Sequence, residues 1–160
     1  MPDLILKPMP FQRGLSFEEF EPGQTITTQG RTVTEADLVS FAALTGDWNP
    51  IHTDAVFAGQ QPLGQRIAHG LLGMSIASAL VMRLGLLDES LLAFREVDTW
   101  KFSRPIFIGD TVHVKFTILE TRPIPRLQGG LISIGLELLN QNEQITQHGR
   151  WSVLVKSMKA

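Results

Sequence analysis

The run from 70 to 84 constrains this chain more than any other stretch. Leu71, Leu72, Met74, Ile76, Ala77, Ala79, Leu80, Val81, Met82 and Leu84 cover every side of a helical wheel. Up to Met82 its polar groups are only Ser75 and Ser78, both small enough for close packing. A helix that is apolar all round must be buried on all sides, either in a protein core or in a membrane. Gly70–Met82 is the longest uncharged apolar run in the chain and is too short to span a bilayer. The helix is therefore expected at the centre of one core, with the rest of the chain wrapped around it.

The second half reads as the wrapping. Residues 93–102, 111–121, 131–139 and 146–155 have strand composition and are bounded by turn signals. Val112, Val114, Phe116 and Ile118 alternate with His113, Lys115 and Thr117, as expected of a strand with one buried face. Ile108-Gly109-Asp110 and Gln128-Gly129-Gly130 read as turns, and 140–143 as a hairpin. Four consecutive strands with short connections imply an antiparallel sheet, so the class is α+β with a buried helix.

Ahead of that helix, residues 1–23 carry Pro2, Pro8, Pro10 and Pro22 and read as an extended N-terminal arm with one short turn at 16–20. Residues 24–33 read as a further strand, and 24–160 as a single domain, which suits a chain of 160 residues. Thr34 with Asp37 three residues on resembles a capping box, and Glu35 and Asp37 fall where a helix dipole favours negative charge. Leu38, Phe41, Ala42 and Thr45 recur at helical spacing up to Gly46. A short helical turn is expected at 54–58, and a loop at 59–64.

Charge and composition exclude several classes of function. Fourteen basic against sixteen acidic residues, with no basic cluster, give no electrostatic case for nucleic acid. The absence of cysteine excludes disulfides and thiolate chemistry. The start, Met1-Pro2-Asp3-Leu4-Ile5-Leu6-Lys7-Pro8, lacks the basic and apolar regions of a secretory leader, so a cytoplasmic location is expected. No membrane association is implied.

Two polar segments interrupt the apolar pattern. Thr45-Gly46-Asp47-Trp48-Asn49-Pro50-Ile51-His52 puts a carboxylate, a carboxamide and an imidazole into six residues, at spacings that fit neither one helix face nor one strand face. Gly46 and Asn49-Pro50 act as breakers. The same residues are ordinary turn formers, so this stretch alone fits either a turn or a site. The second segment, Arg66-Ile67-Ala68-His69-Gly70, stands directly before the apolar helix.

Together these segments resemble the MaoC-like dehydratases and (R)-specific enoyl-CoA hydratases. Thr45–His52 with the small Ala58 after five further residues is similar to the family's first motif, and Ala68-His69-Gly70-Leu71-Leu72 to its second. A looser likeness runs from about 24 to 155. The resemblance implies a hot-dog fold, an antiparallel sheet wrapped around a long central helix. It implies hydration of a trans-2-enoyl thioester to a (3R)-hydroxyacyl thioester, or the reverse dehydration. By the same resemblance Asp47 and His52 match the catalytic dyad, and Gly70 the backbone donor to the thioester oxygen. Asn49 matches a residue that holds the loop or the water, and Ser78 a polar residue that supports the site.

Those roles suit the chemistry. Water attacking C3 must lose a proton while C2 gains one, and an imidazole and a carboxylate can do both, each step contributing roughly 10²–10⁴-fold. The thioester oxygen gains negative charge, and a first-turn N–H such as that of Gly70 has no partner in its own helix. His69 either packs and caps before the helix or supports the chemistry directly. His113 and His148 lie on strands and read as structural. Asp47, His52, His69 and Asp54 lack any standard metal-ligand spacing, so no metal and no cofactor are expected. The expected partners are an acyl-CoA or acyl carrier protein thioester and a second copy of the chain. The alternatives are a non-catalytic acyl-thioester-binding subunit of a heteromer and a hot-dog thioesterase.

Overall fold

In the computed structural model, residues 14–158 are described. In chain order they form β1 (Thr25–Thr27), β2 (Arg31–Thr32), α1 (Glu35–Thr45), α2 (Pro50–Thr53), α3 (Ala55–Gly59) and α4 (Gly70–Met82). The long strands follow: β3 (Leu91–Phe102), β4 (Thr111–Ile124), β5 (Gly129–Leu139) and β6 (Ile145–Lys156). The strands run β1-β4-β5-β6-β3 across one antiparallel sheet, and β2 pairs with β4.

Alternation along the strands gives the sheet one apolar face. Val112, Val114, Phe116 and Ile118 of β4, Ile132, Ile134, Leu136 and Leu138 of β5, and Trp151, Val153 and Val155 of β6 are all buried. Leu72, Ile76, Leu80 and Val81 of α4 belong to the same core cluster. Full burial of each such aliphatic side chain stabilises the fold by about 1.5–3 kcal/mol. This is the hot-dog arrangement: a curled antiparallel sheet with α4 as its filling. Among the described residues no helix is long and apolar enough to cross a membrane.

The helix departs from expectation in one respect. It is not buried on all sides: Leu71 is 60% exposed, and Ser75 and Ala79, at four-residue spacing behind it, are also exposed. A sheet that ends at an edge strand can cover only part of a helix's circumference, and one stripe of α4 is left outside it.

Local chemistry accounts for three further differences. The strand expected at 24–33 is split into β1 and β2. Thr28 intervenes: its N–H donates to the Val114 carbonyl (2.8 Å) and its hydroxyl accepts the Val114 N–H (2.9 Å), a side chain standing in for a main-chain acceptor. Gly129 and Gly130, expected in a turn, lie inside β5. A Cβ on Gly129 would sit 2.1 Å from the Val155 carbonyl oxygen, and one on Gly130 2.3 Å from the Phe17 ring. The turn itself is the short helix Pro125–Leu127, closed by Gln128 at φ 47°. Asn49-Pro50, read as a breaker, opens α2, because Asn49 caps it and Pro50 takes its first position, where no N–H is needed.

The turn expected at 16–20 is the 3₁₀ turn Phe17–Glu19, and Phe17 and Phe20 are part of the core. The remainder of the expected arm, through residue 13, lies outside the described residues.

Candidate active site

α1 starts at a reciprocal capping box between Thr34 and Asp37 and stops at Gly46, whose φ of 78° is accessible to glycine at little cost. Side chains then direct the next six residues. The Thr45 hydroxyl donates to the Phe41 carbonyl (2.7 Å) and accepts the Asp47 N–H (3.3 Å). Asp47 Oδ1 accepts the Asn49 N–H (3.3 Å), and Asn49 Oδ1 accepts the Ile51 N–H (3.2 Å). Each polar residue thus bonds to the main chain two residues on, the Asx-turn geometry. The turn reading and the site reading of this stretch are compatible, since the turn is what places the side chains.

Two contacts stitch this loop to the segment before α4. His52 Nδ1 donates to the Ile67 carbonyl at 2.8 Å, and His69 Nε2 donates to the Asp47 carbonyl at 2.9 Å. The Ile67 N–H returns a bond to the Ile51 carbonyl (3.2 Å). Arg66 grips both oxygens of Glu35 at 2.7 and 2.5 Å, tying the segment to the start of α1. That bond to Arg66 holds the Glu35 carboxyl below its ordinary range.

A carbonyl can only accept, so the bonded nitrogen of each imidazole carries the hydrogen. When the rings are neutral, His52 Nε2 and His69 Nδ1 therefore hold lone pairs. His52 and His69 are 8% and 2% exposed, and Asp47 faces solvent. His69 Nδ1 is buried with no hydrogen-bond partner among the described residues. One donor atom each from Asp47, His52 and His69 lie within 4.8 Å of one another. Geometrically that trio could hold a cation. It can equally serve as an acid–base cluster with a solvent-facing carboxylate and two buried imidazoles.

The remaining predicted residues are placed as follows. Asn49 caps α2 from within the loop. Gly70 follows His69 directly and opens α4, so its N–H lies outside the helical ladder. The missing side chain of Gly70 makes room for a neighbour. A Cβ there would be 2.8 Å from the Phe102 ring. Ser78 is half-buried two turns further along α4, about 12 Å down the axis. Asp54 stands apart, its Oδ1 capping α3 through the Val56 and Phe57 N–H groups (2.9 Å each). His113 lies 3.6 Å from Glu143 at the hairpin.

One buried polar residue beside the site was not singled out in the sequence. Gln147 on β6 is 3% exposed and donates to the Gly70 carbonyl (3.1 Å). It also accepts the Trp100 indole N–H (3.0 Å). Gln147, Gly70, Phe102, Ile67 and Ile106 line a cavity of about 280 Å³. Nothing in the polar run Thr146-Gln147-His148 marks this arrangement in the sequence, and the partners of Gln147 are far away in the chain.

The hot-dog sheet thus carries a turn-mounted Asp and His beside the start of its central helix. Residues 17–131 match the family described as MaoC like domain, and the chain belongs to that family. The 3-hydroxybutyryl-CoA dehydratase of Methylorubrum extorquens is 39% identical over 115 residues, 72% of this chain and 71% of the relative. The (R)-specific enoyl-CoA hydratase of Aeromonas caviae is 33% identical over 132 residues, 75% of this chain and 93% of the relative. Protein MaoC of Klebsiella aerogenes is 37% identical over 101 residues, 63% of this chain but only 30% of that longer protein. Among solved structures, a monoamine oxidase regulatory protein from Archaeoglobus superposes with a TM-score of 0.85 at 33% identity. The match covers 92% of this chain and 98% of that one.

Proposed function

We propose that this chain is a hydro-lyase that adds water reversibly to a trans-2-enoyl thioester, with acyl-CoA as substrate class and a (3R)-hydroxyacyl thioester as product. One observation carries the reading. His52 commits Nδ1–H to the Ile67 carbonyl, which leaves Nε2 as the proton acceptor of a ring that has a nitrogen within 4.8 Å of an Asp47 carboxylate oxygen.

In the hydration direction a water sits between Asp47 and His52. His52 takes its proton as the oxygen bonds to C3, and the Ile67 carbonyl stabilises the imidazolium that forms. The C2=C3 electron pair moves toward the thioester, whose oxygen gains enolate charge and is met by the Gly70 N–H. One such donor is worth on the order of 3 kcal/mol in the barrier. A proton returned to C2 from the dyad completes the addition. Asn49 fixes the loop, and His69 holds Asp47 by its carbonyl while packing on His52.

The names borne by two relatives, a 3-hydroxybutyryl-CoA dehydratase and an (R)-specific enoyl-CoA hydratase, support the substrate class and the hand of the product. The test is loss of the conjugated-thioester absorbance of crotonyl-CoA. The product should be oxidised by an (R)-specific and not by an (S)-specific 3-hydroxyacyl dehydrogenase. Binding of crotonyl-CoA without any hydration would overturn the reading in favour of an acyl-thioester-binding subunit.

A further inference from the structure

We infer that Gln147 is a positioning residue for the start of α4, holding the Gly70 backbone so that its N–H points at the thioester oxygen. The inference rests on the hydratase reading and adds a residue to it.

A buried carboxamide costs roughly 1–3 kcal/mol unless its groups are bonded. Gln147 has both ends bonded, and the partners leave no ambiguity about which end is which. The Trp100 indole can only donate, so it faces Oε1 at 3.0 Å. The Gly70 carbonyl can only accept, so it faces Nε2 at 3.1 Å. Space for the side chain is made by Gly73, where a Cβ would stand 2.2 Å from Nε2 and 2.9 Å from the Ile106 side chain. A glycine one turn into a helix costs roughly 0.5–1 kcal/mol relative to alanine. Its presence is explained by the amide that passes over it.

Gly70 is the residue that needs an external hold. Without a side chain its φ and ψ are the freest of any residue type, and its N–H belongs to the orphan first turn. Its N–H and C=O flank the same Cα, so fixing the carbonyl direction narrows the directions left to the N–H. Trp100 is stacked on the buried Trp151 at 5.3 Å with 23° between planes, which makes it a firm anchor for the other end of the amide. The chain Trp151, Trp100, Gln147, Gly70 thus runs from the sheet to the oxyanion donor.

The experiment compares wild type, Gln147→Leu, Gln147→Glu and Trp100→Phe with crotonyl-CoA, each at matched folded fraction from thermal melts. Gln147→Leu should lower kcat on the order of tenfold or more with little change in KM, since geometry rather than binding is lost. In Gln147→Glu a protonated carboxyl reproduces the amide's donor and acceptor, whereas the carboxylate faces the Gly70 carbonyl with no hydrogen. The ratio of this variant's kcat to that of wild type should therefore rise as pH is lowered from about 8 to about 6. Trp100→Phe should fall between. A merely structural role would alter melting and leave both the kcat split and the pH-dependent ratio flat. Gln147→Leu with wild-type kcat would overturn the inference, and if that variant does not fold the Gln147→Glu ratio decides alone. Amide hydrogen exchange separates the two readings. If wild type hydrates no enoyl thioester, the hydratase reading fails. Faster exchange at the first turn of α4 in the variants would still support the hold by Gln147, and unchanged exchange would overturn it.

Discussion

His52 and His69 stack ring on ring, their centroids 3.9 Å apart and their planes 30° from parallel. Each donates its N–H to a main-chain carbonyl in the other's segment, His52 to Ile67 and His69 to Asp47. The two segments are therefore one locked unit, with the ring of Phe41 of α1 also packed on His69 at 5.0 Å.

His69 is expected to act through Asp47 and His52 without touching substrate. His69→Phe keeps an aromatic ring on His52 and removes the bond to the Asp47 carbonyl. The expected outcome is a loss in kcat of about 10–100-fold with KM nearly unchanged. The cost in stability should be only about 1 kcal/mol, the value of one hydrogen bond. Steady-state kinetics beside a urea melt measures both, and wild-type kcat in the variant would remove His69 from the mechanism.

Asp47→Asn and His52→Ala should each cost several orders of magnitude in kcat, about 3–5 kcal/mol in barrier. Groups that share one proton-transfer step give non-additive losses, so the double variant should be little worse than either single one. Binding of a saturated acyl-CoA, followed by calorimetry, should survive in all three. Loss of that binding together with absence of any wild-type hydration would make the loop a recognition element.

The sequence carried the parts of the fold that local rules determine. The Thr34–Asp37 cap, the stop at Gly46 and the alternation of Val112, Val114, Phe116 and Ile118 each follow from residues close in the chain, and the structure has them all. The exposed stripe Leu71–Ser75–Ala79 was not legible, because composition gives a helix's apolarity but not how far a sheet reaches around it. At the site, Asp47, Asn49, His52, His69 and Gly70 could be singled out because two short motifs hold them. Gln147 could not, since its contacts with Trp100 and Gly70 span 47 and 77 residues and depend on strand register.

The glycine at 70 is predicted to serve two neighbours. Gly70→Ala would bring a methyl to 2.8 Å from the Phe102 ring, so some of any loss in activity would reflect that crowding. Phe102 is 55% exposed, so its ring has room to move aside. If only crowding matters, Gly70→Ala combined with Phe102→Ala should recover the kcat of Phe102→Ala alone. If the thioester oxygen needs the bare Cα, the combined variant should stay at least about tenfold below it. Kinetics of the three variants distinguishes these outcomes.

The start of α1 sets an acid limit on stability. Burial pushes the Asp37 carboxyl up, but hydrogen bonds from the Thr34 N–H and hydroxyl and the nearby Arg31 guanidinium outweigh it. The net shift is downward. A carboxyl whose folded value is depressed stabilises the protein fully above its unfolded value and loses that contribution as pH falls through the folded one. Asp37→Asn should therefore flatten the acid side of the stability curve, below about pH 4. Thr34→Ala should cost about 1 kcal/mol at neutral pH through loss of the cap. Denaturant melts from neutral to acid pH test both, and an unchanged acid limb in Asp37→Asn would rule the cap out as its source.

The last prediction concerns β3. Among the described residues it is a sheet edge of twelve residues, hydrogen-bonded on one side only, to β6. Leu92, Phe94, Val97 and Phe102 on it are exposed, as is Leu71 on α4. A long edge that carries these exposed apolar side chains and has free N–H and C=O groups invites another strand, even with Arg95, Glu96, Asp98 and Lys101 among them, and a protein that remains dispersed must cover it. The register slips at three points along β3, which adds local twist but does not block the edge. A second copy of the same chain can cover it by pairing β3 with β3 about a two-fold axis, an isologous contact that closes on itself. Sedimentation at micromolar concentration should give a dimer mass. Val97→Lys places a charge on the exposed edge and should yield monomers. Because Phe102 ends this strand and packs against Gly70, those monomers should also lose hydration activity. A wild-type protein that sediments as a monomer would show that the edge is left open and the site complete in one chain.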